Sequence, residues 1–139
     1  MTKLLIMFRN ICLSRNFTLG ELTHTNRSKF LDENRELSMD YLNNLHKLAF
    51  VLQLIRDKCD FPLRINSGFR SPSLNKEVGG VAKSLHLKGL AADIRLPDDS
   101  VQRSRLLLAI RTLQDIGIIT YSYTNLSAQF IHISIFNDG

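Results

Sequence analysis

Two histidines and one aspartate carry the chemistry this chain could perform. His86 and Asp93 both lie in the stretch SLHLKGLAADI (Ser84 to Ile94), on either side of Gly89, and His132 lies in FIHISI near the C-terminus. Two neutral imidazoles and a carboxylate, with a fourth position left open, make the donor set of a catalytic zinc site. Asp93 poses the physical question. Its neighbours are apolar, and a carboxylate buried without a partner is costly, so it needs a cation or donors. The residues alone leave two readings open, because a histidine in a strand is usually satisfied by ordinary partners and an aspartate beside a glycine turn usually caps backbone. His24 and His46 are no better placed. His46 falls inside a helical pattern with no potential partner one turn away, and a structural role is expected for it.

Whether the three side chains meet depends on the elements that carry them. Side chains alternate along a strand, so in QFIHISI the residues Phe130, His132 and Ser134 share one face and Ile131, Ile133 and Ile135 the other. In LAADIRL, Ala91, Asp93 and Arg95 share a face, opposite Ala92, Ile94 and Leu96. If these strands are neighbours with the apolar faces toward the core, Asp93 and His132 converge, and the turn at Gly89 lets His86 fold over the same point. Strands are expected around Leu63 to Ile65, over 89–96, over 118–123 and over 130–135, the last two antiparallel around the turn TNLSA.

Apolar residues at Tyr41, Leu42, Leu45, Leu48, Ala49, Leu52 and Ile55 predict a helix over 38–58 with Ser38 as N-cap. A short helix is expected within 19–30, capped by Thr18 with Glu21 three residues on. Another is expected over 73–78 after Pro72, closed by Gly79-Gly80, and a longer one from the Asp98-Asp99-Ser100 caps to Gln114, stopped at Gly117. The mixture describes one α+β domain over residues 1–139, a small antiparallel sheet with packed helices.

Composition narrows the function classes. At 139 residues, 44% hydrophobic and 22% charged, the chain can hold a core without staples. Its net charge of +5 fits either an ordinary basic surface or attraction to a polyanion. The basic residues are spread along the chain without a cluster, and neither a recognition helix nor an aromatic platform stands out, so nucleic acid is not an expected partner. Cys12 and Cys59 lack the spacing of a zinc knuckle and are expected as reduced, partly buried thiols. The opening MTKLLIMFRNICLS reads as a first strand or short packed segment, too short for a signal-peptide core or a membrane span.

The motifs taken together resemble a known family. SGFRSPSLNKEVGG (Ser67 to Gly80), followed by SLHLKGLAADI and FIHISI, resembles the zinc D-alanyl-D-alanine carboxypeptidases and L,D- or D,D-peptidases of the M15 peptidase family, in particular its short phage-type members. The family pattern S-x-H-x-x-G-x-A-x-D is met by Ser84, His86, Gly89, Ala91 and Asp93, and the likeness extends over nearly the whole chain. The resemblance implies that His86, Asp93 and His132 hold zinc (Zn2+), that Arg70 faces the substrate and holds its carbonyl or carboxylate, and that Ser84 contacts the substrate backbone. It also implies the α+β fold shared with the hedgehog signalling domain. The substrate it implies is a stem or cross-link peptide of bacterial peptidoglycan, cut by a monomeric, endolysin-like enzyme made in a host cytoplasm without a signal peptide and acting at the cell wall.

One position departs from the family pattern. Active members carry an acidic residue three positions before the last histidine ligand, as general base and acid, and here that position is Gln129. Glutamine can orient a water but cannot take its proton, and losing a general base typically costs ~10²- to 10⁴-fold in rate. Three readings follow: another acid serves, such as Asp98, Asp99 or Asp138; the zinc site works with weak help; or the chain is a metal-stabilised wall-binding domain with little or no hydrolysis.

Overall fold

Alternation and capping build the elements in the order the chain requires. The computed structural model describes residues 10–136. A small hairpin, β1 (Cys12–Ser14) and β2 (Phe17–Thr18), leads into the single-turn helix α1 (Leu19–Leu22), whose cap is the Thr18 hydroxyl accepting from Glu21 N at 3.1 Å. Helices α2 (Leu31–Ser38) and α3 (Leu42–Cys59) follow, then β3 (Ile65–Ser67), α4 (Pro72–Glu77), β4 (Ala91–Arg95), α5 (Ser100–Asp115), β5 (Ile119–Asn125) and β6 (Phe130–Ile135). The main sheet is antiparallel throughout, with spatial order β3-β4-β6-β5. This is the expected α+β architecture.

One face of that sheet is the core. Ala92, Ile94, Ile131, Ile133 and Ile135 lie buried against Leu45, Leu48, Leu52 and Ile55 of α3 and Leu106, Ile110 and Leu113 of α5. Burying each such aliphatic side chain contributes roughly 1.5–3 kcal/mol, so the helices fix which way β4 and β6 face. The β4–β6 register sets Asp93 directly opposite His132, and β5 sets Tyr123 opposite His132 from the other side. A one-residue slip would turn all these side chains into the core.

The N-terminal half departs from the sequence expectation. Ser38 does not cap α3. It ends α2, its hydroxyl donating to Arg35 O at 2.7 Å, and a single 3₁₀ turn, Met39–Tyr41, joins the two helices. The expected helix over 19–30 is reduced to α1 and a 3₁₀ turn at Ser28–Phe30. Helix α2 escapes pattern analysis because the residues it buries are Asn34, Arg35 and Ser38 rather than an apolar stripe. Asn34 clamps two segments: its amide donates to Thr23 O at 2.8 Å and Phe69 O at 3.1 Å, and its carbonyl accepts from Ser71 N at 2.7 Å. Strand β3 begins at Ile65, past the expected Leu63, and β4 starts at Ala91 rather than Gly89 because Gly89, at φ 70°, closes the 3₁₀ turn Leu85–Lys88. Cys59 is a buried free thiol as expected, whereas Cys12 is exposed on the edge hairpin. The first nine residues and Asp138 lie outside the described residues.

The loop after β3 passes very close to α1. Phe69 N donates to Leu22 O at 2.8 Å, and a Cβ at Gly68 would stand 2.4 Å from that same carbonyl oxygen. Gly68→Ala must therefore push two backbones apart. It should destabilise the fold by about 2–4 kcal/mol, read as a lowered urea midpoint; an unchanged midpoint would contradict this packing.

Candidate metal centre

The face of the sheet away from the helices carries the site. Asp93 projects from β4 and His132 from β6, with Asp93 Oδ1 2.8 Å from His132 Nδ1. His86 arrives from the 3₁₀ turn Leu85–Lys88, started by the Ser84 hydroxyl accepting from His86 N at 3.2 Å and closed by Gly89 at φ 70°. A left-handed residue there reverses the chain into β4, which glycine does without strain. His86 Nε2 then stands 3.2 Å from the same Asp93 Oδ1. The potential ligand atoms of all three residues lie within 4.8 Å of one another. The structure thus brings together the three residues that sequence singled out for metal.

Hydrogen bonding fixes what this cluster can hold. His86 Nδ1 is 2.7 Å from Gly68 O. A carbonyl only accepts, so Nδ1 carries the hydrogen, and in the neutral ring Nε2 presents a lone pair to a carboxylate oxygen. Two acceptors at that distance require a proton or a metal cation between them. His132 is held similarly, with Nε2 2.8 Å from Ser134 Oγ and Nδ1 toward Asp93. Two imidazole nitrogens and a carboxylate, oriented by partners on their far sides, are the donors a zinc ion prefers. The residues present fit a divalent metal.

The electrostatics agree. Burial alone would raise the Asp93 pKa, but His132 and His86, when they carry protons toward it in place of a metal, outweigh burial and hold the carboxyl well below the usual carboxylate range. Arg70 closes the other side, its Nη2 3.1 Å from Asp93 Oδ2. Ser67 Oγ accepts from Arg70 Nε at 2.9 Å and Asn75 Oδ1 from Nη1 at 3.3 Å, so the guanidinium fork is pinned. These groups open on a cleft of about 530 Å³, also lined by Ser84, Lys83, Tyr121, Tyr123 and Phe130.

Tyr121, Tyr123 and Ser134 were not singled out for the site by sequence. The Tyr123 ring stacks on His132 with centroids 5.1 Å apart, and Tyr121 lies at 6.0 Å. Burial, then the Asp93 charge and Tyr121, push the Tyr123 pKa up against the pull of Arg70, so its phenol stays protonated. The available signals were the i, i+2 spacing of Tyr121 and Tyr123 and of His132 and Ser134. The roles of Gly68 O and Asn75 had no signal, since both depend on loops meeting in space.

Gln129 is not brought to the cleft. It is exposed in the β5–β6 turn with φ 57°, and its carbonyl accepts from Leu96 N at 2.9 Å. Of the other acids considered, Asp99 caps α5 by accepting from Gln102 N at 2.9 Å, and neither it nor Asp98 lines the cleft. Among the residues lining the cleft, Asp93 is the one carboxylate.

Comparison with known proteins agrees with this geometry. The family model described as Peptidase M15 matches residues 15–134, which include the metal triad and Arg70. The chain belongs to the M15 peptidase family. It is also 34% identical over 85 residues to the zinc D-Ala-D-Ala carboxypeptidase of Streptomyces albus G, a match covering 60% of this chain and 32% of that protein. This M15 chain thus spans about a third of the length of the curated relative it matches.

Two outcomes follow for metal binding. Ser134→Ala removes the oxygen that orients His132 and should weaken metal affinity by about 10- to 100-fold, measured by competition with a chromogenic chelator; unchanged affinity would remove Ser134 from the site. Because a proton and a metal compete for the space between His86 and Asp93, acidification should weaken loading by roughly tenfold per pH unit for each proton displaced.

Proposed function

We propose that this protein is a zinc-dependent peptidase that cleaves stem or cross-link peptides of bacterial peptidoglycan, in the manner of a phage endolysin. The observation that carries the reading is the convergence of His86, Asp93, His132 and a pinned Arg70 in one open cleft. His86 Nε2, Asp93 Oδ1 and His132 Nδ1 would hold the zinc. When bound, zinc supplies a Lewis acid for the scissile carbonyl and a water acidic enough to lose its proton near neutral pH.

This chain's own groups do the rest. Three of the five N–H groups of Arg70 are committed to Ser67, Asn75 and Asp93, and the remaining two are available to a substrate carbonyl or terminal carboxylate. The Ser84 hydroxyl accepts from His86 N, which leaves its own hydrogen to donate to the substrate backbone. Tyr121 and Tyr123 form an aromatic wall, and the neutral Tyr123 phenol is a donor. Lys83 adds positive charge at the rim, which suits an anionic peptide. The protein would act at the cell wall, as a monomer.

A second reading has a specific observation behind it. Among the described residues Asp93 is the one carboxylate lining the cleft, so none of them offers the substrate a separate carboxylate base. That favours a metal-stabilised wall-binding domain with weak or no hydrolysis.

The deciding measurement is hydrolysis of purified peptidoglycan and of a D-Ala-D-Ala peptide by the zinc-loaded protein. Cleavage that a chelator abolishes and zinc restores is expected, and Arg70→Ala should lower kcat/KM by about 10²-fold. Wall binding without cleavage at any pH would establish the second reading. Because Gln129 is exposed in the β5–β6 turn and does not line the cleft, Gln129→Glu should change kcat/KM by less than about threefold; a gain approaching 10²-fold would return that position to the role of base.

A further inference from the structure

A pair of arginines on the sheet that carries the metal centre is unexplained by the fold. Ile65 pairs with Ile94 across β3 and β4, and one step further Arg95 N donates to Arg64 O at 2.9 Å, so Arg64 and Arg95 stand directly opposite each other. Both are exposed, and both line a small cavity of about 110 Å³ beside Pro62 and Pro97. Among the described residues neither guanidinium makes an ion pair or a side-chain hydrogen bond. Asp93, two residues from Arg95, is paired with Arg70 instead, and Asp60, Asp98 and Asp99 make no ion pair with either arginine. Like charges directly opposite on a sheet are destabilising, so the fold gains nothing from this arrangement. An anion between the two forks would reverse the sign of the interaction, and arginine suits a carboxylate because it can engage both oxygens.

The position says which anion. Arg95 shares its sheet face with Asp93, two residues along β4 and therefore about 6.8 Å from it along the strand. Its cross-strand partner on β6 is Phe130, which itself lines the metal cleft. The pair does not line the metal cleft itself; Arg95 adjoins it through Phe130, one or two extended peptide residues from Asp93 along the sheet. We infer that Arg64 and Arg95 form a carboxylate-binding subsite that selects peptides with an acidic side chain one or two residues from the scissile bond. The inference rests on the peptidase reading for its substrate, but not on hydrolysis for its test.

The experiment compares the zinc-loaded protein with the R64Q/R95Q variant on paired peptides that differ only by Glu or Gln at those positions. The unaltered protein should prefer the Glu peptide by about tenfold in kcat/KM, mainly through KM, and salt should erode the preference. In the variant the ratio should fall to about one. A preference absent from the unaltered protein, or retained by the variant, overturns the subsite. If neither peptide is cut, the peptidase reading fails, and calorimetric titration with the same peptides still tests the subsite: tighter binding of the Glu peptide, lost in R64Q/R95Q, supports it, and equal binding overturns it. Inorganic phosphate bound at the pair without discrimination between the peptides would mean a free-anion site and also overturn it. Since opposed like charges are removed, the variant should melt at the same or a higher temperature; a lower one would mean that the fold itself uses the arginines and would overturn the inference.

Discussion

The structure depends on one carboxylate shared by three cationic or cation-seeking partners. Asp93 offers Oδ1 to His132 and His86 and Oδ2 to Arg70. It is only 8% exposed, so an unbalanced charge there would be expensive. Each partner is in turn held from behind: His86 by Gly68 O, His132 by Ser134, Arg70 by Ser67 and Asn75. The arrangement is therefore preorganised around a negative charge, with two imidazole nitrogens converging on one carboxylate oxygen. A metal cation satisfies that geometry more completely than a proton, because it takes lone pairs from both imidazoles at once.

Much of the fold far from the cleft serves that balance. Gly68 must present its carbonyl to His86 while its Cα sits against Leu22 O. That is possible because Asn34, buried in α2, ties Thr23, Phe69 and Ser71 into one rigid corner. Ser71 then caps α4 by accepting from Leu74 N at 3.2 Å, and α4 supplies Asn75 to Arg70. A polar helix that contributes little apolar burial thus sets the direction of both His86 and Arg70. Its residues hold the scaffold through satisfied hydrogen bonds, which in a buried setting are costly to remove singly.

The strands and the triad were legible in the sequence because the governing pattern is local. Alternation in LAADIRL and FIHISI assigns faces without knowledge of the fold, and β6 has the bounds its pattern predicts. Helix α5 follows from its Asp99 cap and its apolar stripe. Helix α2 was illegible because its inward residues are polar, and Asn34 reads as a surface residue until Thr23 and Phe69 are seen beside it. The Tyr123 contact was hidden for a different reason. It depends on the register across the expected β5–β6 hairpin, which sets Tyr123 opposite His132, and the turn sequence does not fix that register.

The same strand arithmetic explains why Gln129 is remote from the chemistry. His132 and Phe130 face the cleft, so Ile131 faces the core, and residue 129 shares the parity of Ile131 and Ile133. Continued as strand, its side chain would enter the core. The left-handed φ of 57° turns it out to solvent, while its carbonyl closes the sheet onto Leu96. The polar groups that do face the cleft beside Asp93 are the oriented imidazoles, the protonated Tyr123 phenol and the pinned Arg70. The conformation of the turn therefore bears on what position 129 can do alongside the identity of the residue within it.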